Sequence, residues 1–227
     1  MKFLLGSSFF CGGPRNVADL SEDWCLNLTR IDVHPQHVAI ICEGGTKLKF
    51  RPPGASVIEL SGDLGNWSDI MHKRKPYEWS GWSASMVTLA MIAYVNECDF
   101  VYKESDCFAF GDWVKQLYVD MGDGEMAFGP PHTSEPWMAS SQSLFIVKHK
   151  FIPEFVRYYL SQGGETAESN LGELKFARMR SAFSSAKIKH LTFGQDRMRP
   201  IVWSAKTNYW QQPTPSELQE AKNRGLL

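Results

Sequence analysis

Four short apolar runs in the N-terminal half constrain this chain more than any other feature. They are FLLGSSFF (Phe3–Phe10), HVAIIC (His37–Cys42), SVIEL (Ser56–Leu60) and the stretch around Phe100 and Tyr102. Each has strand length and is bounded by turn-forming or acidic residues. Helical patterns separate them. Asn16 and Asp19 suit a helix start, with Val17, Leu20, Trp24, Leu28 and Ile31 as its apolar face. Ser83–Asn96 (SASMVTLAMIAYVN) is apolar nearly all round and reads as a buried helix. This alternation predicts the α/β class, with a mostly parallel central sheet and helices on both faces. Ligands of such sheets bind beyond the carboxyl ends of the strands. That rule brings Ser7, Ser8, Glu43, Asp63, Glu104 and Asp106 to one rim.

Glu104 and Asp106 stand two positions apart where the fourth strand ends. Period-two geometry would turn both carboxylates to one side, as a hard cation with oxygen ligands requires. Two ordinary solvated carboxylates at a strand end are the plain alternative. Asp112 then suits a helix N-cap, Trp113, Val114, Leu117 and Tyr118 the helix, and Gly122 its end.

The polar connection at 64–82 carries the basic run His72-Lys73-Arg74-Lys75, a solvated face more readily than a phosphate site. Residues 121–141, with Gly124, Gly129, Pro130, Pro131 and Pro136, read as loop-rich. Gln142–His149 reads as a strand. Pro153 opens a helix that Gly163 stops, and a further helix is expected over Leu171–Ala186. The chain closes on a Pro-rich segment and a short helix with a Ser216…Gln219 capping box.

Composition narrows the function. At 227 residues, 43% hydrophobic and 22% charged, the chain can bury a full core. Its net charge of −1 supplies no basic excess for non-specific nucleic-acid binding. Five cysteines without a C-x-x-C pair suggest neither a disulfide framework nor zinc, and a reducing, cytoplasmic setting fits them. The opening MKFLLGSSFFCGG is interrupted by Gly6, Ser7 and Ser8, and reads as a first core strand rather than a leader. No run approaches the roughly 18 apolar residues of a membrane span.

The α/β half, the apolar helix and Glu104-Ser105-Asp106 in the place of a D-x-D motif together resemble the GT-A family of nucleotide-sugar glycosyltransferases. The first acidic position departs from that motif, being Glu. A second likeness is His190-Leu191-Thr192-Phe193-Gly194 followed by Arg197, Arg199 and Pro200. It is similar to the H-x-x-G-x-x-K-P-W segment of some retaining members, with a longer His-to-Gly spacing and Arg for Lys. A histidine at a helix end, favoured by the macrodipole, is its plain alternative.

The resemblance implies one GT-A-like catalytic domain over 1–203, its nucleotide-binding half about 1–111 and its acceptor half about 112–203. A tail with a short helix, 204–227, would follow. It implies Mn²⁺ or Mg²⁺ on Asp106 and His190, with Glu104 a ligand or a contact to ribose. Arg197 and Arg199 would hold the diphosphate. Ser7, Ser8 and Phe9 would form the nucleotide-binding edge, Glu43 and Asp63 would reach base or ribose, and Arg15 a phosphate. For an inverting enzyme the general base would be Glu173, with Glu168 and Glu135 open. For a retaining one, Gln142 or a backbone carbonyl would line the reacting face. The implied activity moves a sugar from a nucleoside-diphosphate sugar to a hydroxyl acceptor, a glycan or another molecule.

Two rivals remain. A sugar nucleotidyltransferase would want a Gly-rich basic loop after strand one, of which Cys11-Gly12-Gly13-Pro14-Arg15 is a faint echo. A non-catalytic carbohydrate-binding or scaffold protein would suit the abundant aromatics, but would leave Glu104, Asp106 and His190 no reason to converge.

Overall fold

A computed structural model describes residues 1–10, 20–43, 46–60, 81–129, 142–162, 172–194 and 200–227. Its first half follows the expected alternation: β1 (Phe3–Phe10), α1 (Ser21–Thr29), β2 (His37–Glu43), β3 (Ser56–Glu59), α2 (Gly81–Val95) and β4 (Asp99–Lys103). Then come β5 (Cys107–Phe110), α3 (Trp113–Met121), β6 (Met126–Phe128), β7 (Leu144–Val147), α4 (Ile152–Ser161) and α5 (Gly172–Ala182). The chain ends with β8 (Ile188–His190), β9 (Asn208–Gln211) and α6 (Pro215–Asn223).

The main sheet has seven strands in the order β3-β2-β1-β4-β7-β6-β8. β1 pairs in parallel with both β2 and β4, β2 with β3, and β6 with β8, while β7 runs antiparallel between β4 and β6. A mostly parallel sheet between helical layers is the predicted architecture. One core lies on the face of Phe3, Leu5 and Phe9, with α1 and α3; the other contains Leu4, Ile41 and Phe100, with α2, α4 and α5. Gly6 makes the second possible. A Cβ there would stand 2.8 Å from the Phe100 ring and 3.2 Å from Leu89, so α2 can lie this close to β1 only over a glycine.

Several local expectations change. The helix expected from Asn16 is observed as α1 from Ser21, and Asn16 itself lies outside the described residues. α2 is not buried all round: Met91, Tyr94 and Val95 reach the surface, the last 71% exposed. Its uniform apolarity conceals which side meets the sheet. The stretch read as loop-rich contains β6, whose Met126, Ala127 and Phe128 are fully buried. The last helix is capped by Thr214 with Glu217, not by Ser216 with Gln219. Pro215 decides this, because its fixed φ suits the first helical position.

Asp112 stands at the N-cap of α3, but its side chain makes no capping bond. Asp32, just after α1, does so from across the chain: its Oδ1 and Oδ2 accept from the Val114 and Lys115 N–H, each at 3.0 Å. β5 pairs with β9 in a separate two-stranded sheet. Asn27 satisfies the edge of β5, its Nδ2 donating to the Ala109 carbonyl at 2.7 Å and its Oδ1 accepting from the Ala109 N–H at 3.0 Å.

Candidate active site

The order of the main sheet reverses between β1 and β4, the place where open α/β sheets open a crevice. Gly6 pairs with Tyr102 there, which sets Ser8 alongside the end of β4. Ser8 Oγ and Tyr102 Oη share a 2.9 Å hydrogen bond. Burial, and after it the charge of Glu104, holds the Tyr102 hydroxyl well above its usual range, so it stays protonated.

β4 ends at Lys103, and the acidic pair follows in a tight turn in which the Cys107 N–H donates to the Glu104 carbonyl at 3.1 Å. The carboxylates therefore converge through a turn and not through strand alternation. Gln211 Nε2 donates to Glu104 Oε2 and also reaches Asp106 Oδ1 at 3.5 Å. Trp24 also holds the turn, its Nε1 donating to the Glu104 carbonyl at 3.1 Å. Asp106 is half-buried, Glu104 buried.

The other candidates divide by position. Ser7 and Phe9 are fully buried, and the Phe9 ring meets Trp24 edge-on at 5.6 Å, so a nucleotide here could be met by backbone but not by that ring. Glu43 is buried at the end of β2 and accepts a hydrogen bond from Ser85 Oγ on α2. His190 ends β8 on the same rim, since Phe128 pairs with both Phe145 and His190. Three strand spacings, on the order of 14 Å, separate β8 from β4. Among the described residues no three His, Cys, Asp or Glu side chains gather as a metal centre would require. The imidazole of His190 is half-buried. Burial lowers its pKa, and with Nδ1 donating to the Gly129 carbonyl at 3.3 Å, Nε2 keeps its lone pair. Glu173 lies in the first turn of α5, its side chain outside the described residues; Arg15, Asp63, Glu168, Arg197 and Arg199 lie wholly outside them, as do Glu135 and Asp19, the expected partner of Asn16.

Three residues of this rim were not among the expected site residues. Gln211 is one. Lys103 is fully buried, with its Nζ 4.7 Å from the centre of the Trp24 ring and 5.4 Å from that of Phe108. Trp82, at the start of α2, meets Tyr102 edge-on at 5.6 Å and continues into Tyr159 and Phe176. A lysine inside an apolar strand could have drawn notice; a glutamine near the C-terminus could not.

No protein-family model matches the sequence, and no curated protein matches it. Solved structures do. The glycosyltransferase GlyE of Streptococcus pneumoniae TIGR4 aligns over 84% of this chain and 45% of its own, at 12% identity and a TM-score of 0.50. The bifunctional glycosyltransferase WbbM aligns over 85% of this chain and 39% of its own, at 11% identity and 0.50. An active-site mutant of LgtC aligns over the whole of both chains, at 11% identity and 0.50. This protein has the GT-A glycosyltransferase fold. The chain spans less than half of GlyE and WbbM but the full length of LgtC. The Glu104–Asp106 turn follows β4, the strand beside β1. No described helix is long and apolar enough to cross a membrane.

Proposed function

We propose that this chain is a metal-dependent glycosyltransferase that moves a sugar from a nucleoside-diphosphate sugar to a hydroxyl acceptor. The observation that carries the reading is the convergence of Glu104 and Asp106 at the β1–β4 switch point of a GT-A fold. Two carboxylates within reach of one nitrogen would suit a hard divalent ion, Mn²⁺ or Mg²⁺, which takes oxygen ligands. When bound, such an ion offsets the charge that grows on the departing nucleoside diphosphate.

The rest falls to the chain's own residues. Asp106, the more exposed carboxylate, binds the ion directly, and Glu104 supports it or meets a ribose hydroxyl. The backbone at Ser7–Phe9 lines the nucleotide, Arg15 serves a phosphate, and Asp63 the base or ribose. Arg197 and Arg199 serve the diphosphate, to whose oxygens their guanidinium groups can donate. Glu173, with Glu168 second, takes the acceptor proton if the reaction inverts. Glu43, tied to Ser85, fixes the start of α2 against the rim.

Thermal shift with UDP, GDP and CMP, each with and without Mn²⁺, tests the reading. One diphosphate should stabilise the protein chiefly when metal is present, by about 2.7 kcal/mol at a hundredfold excess over Kd. Asp106→Ala should abolish the gain. A preference for a nucleoside triphosphate would favour a nucleotidyltransferase, and no response to any nucleotide would favour a scaffold. Slow hydrolysis in a donor screen would identify the sugar.

A further inference from the structure

The last strand of the chain ends on the acidic turn. Gln211 is 6% exposed and pairs with Cys107, the first residue after the turn. Its amide contacts both carboxylates, and the next N–H, that of Gln212, donates to the Asp106 carbonyl at 3.0 Å. β9 cannot shift to suit a different carboxylate geometry, because Tyr209 and Trp210 are fully buried. The Trp210 ring centre lies 5.6 Å from that of Phe108 and 5.2 Å from that of Trp203. With Trp24 holding the Glu104 carbonyl, the amide sets the orientation of both acidic side chains at once. Being neutral, it orients them without cancelling their charge, so their attraction for a cation survives.

We propose that Gln211 is a positioning residue for the cation site, holding Glu104 and Asp106 in the rotamers that a divalent ion needs. This rests on reading those two residues as its ligands. Partners that hydrogen-bond to ligating carboxylates commonly govern metal affinity by about 10- to 100-fold. The inference makes the C-terminal segment part of the site, since a strand at 208–211 supplies the group that organises a motif at 104–106.

Titration of the full chain with Mn²⁺ alone, following the free-ion signal by electron paramagnetic resonance, tests it without turnover. Gln211→Met keeps the length of the side chain and removes the donor. It should weaken Mn²⁺ binding by about tenfold or more, while the metal-free melting temperature stays within about 3 °C of wild type. A merely structural glutamine would move the melting temperature and leave the affinity alone. A loss of less than about fivefold, or tighter binding, overturns the proposal. If Gln211→Met does not fold, Gln211→Asn, which withdraws the amide by one methylene and keeps it polar, decides on the same threshold. Failure of the underlying reading looks different: wild type would not bind Mn²⁺, or Asp106→Ala would bind it as tightly as wild type.

Discussion

Replacing Lys103 with methionine should make this protein more stable, and the gain should depend on pH. The side chain is fully buried, its Nζ has no hydrogen-bond partner, and two aromatic faces are its nearest attractions. Burial pushes its pKa from 10.5 down to about 7, against smaller opposing effects of Cys107, Cys25 and Asp106. At about 1.4 kcal/mol per pH unit, that displacement corresponds to roughly 5 kcal/mol of destabilisation below neutrality. Between pH 7 and 10.5 the unfolded chain holds a proton that the native chain has released, so wild-type stability rises with pH across that window. Methionine fills a similar volume, and its polarisable thioether packs against the Trp24 and Phe108 rings without a charge to desolvate.

Urea unfolding of metal-free protein in chelator, so that no cation sits beside Glu104, should place Lys103→Met about 3 to 5 kcal/mol above wild type at pH 6. The gap should narrow to roughly 2 kcal/mol at pH 9. In thermal melts at pH 6 the gain corresponds to about 10 °C. Equal stabilities at pH 6, or a gap that does not change with pH, would refute the reasoning, because either would mean that the ammonium is compensated where it lies.

Three further outcomes are expected. Asp32→Ala should cost about 1 kcal/mol in urea unfolding by uncapping α3, whereas Asp112→Ala should be close to neutral, its contact with Lys115 being an exposed one at 3.9 Å. Gly194→Ala should destabilise by more than about 2 kcal/mol, since Gly194 has a φ of +113° and an added Cβ would enter the Tyr209 ring; a neutral result by the same measurement would show that the ring can move. Tyr102→Phe should cost about 1 to 3 kcal/mol by leaving the buried Ser8 Oγ without this hydrogen bond, and Ser8→Ala in the same background should recover part of the loss.

The α/β class and the first four strands were legible because each strand signals itself locally. An apolar run of the right length, ended by a turn, needs no partner to be read, and parallel pairing follows from the helices between the runs. The position of Glu104 and Asp106 just beyond the end of β4 follows from the same rule. β6 was missed because three buried residues amid glycines and prolines carry no periodicity, and the cap of α3 was misassigned because Asp32 is 82 residues from the N–H it receives. Only the tertiary structure decided how the acidic turn is held: by Trp24 from before it, and by Gln211 from a strand near the end of the chain. Those contacts lie between residues 80 and 107 positions apart, and their energy depends on a register that no local pattern of side chains can express.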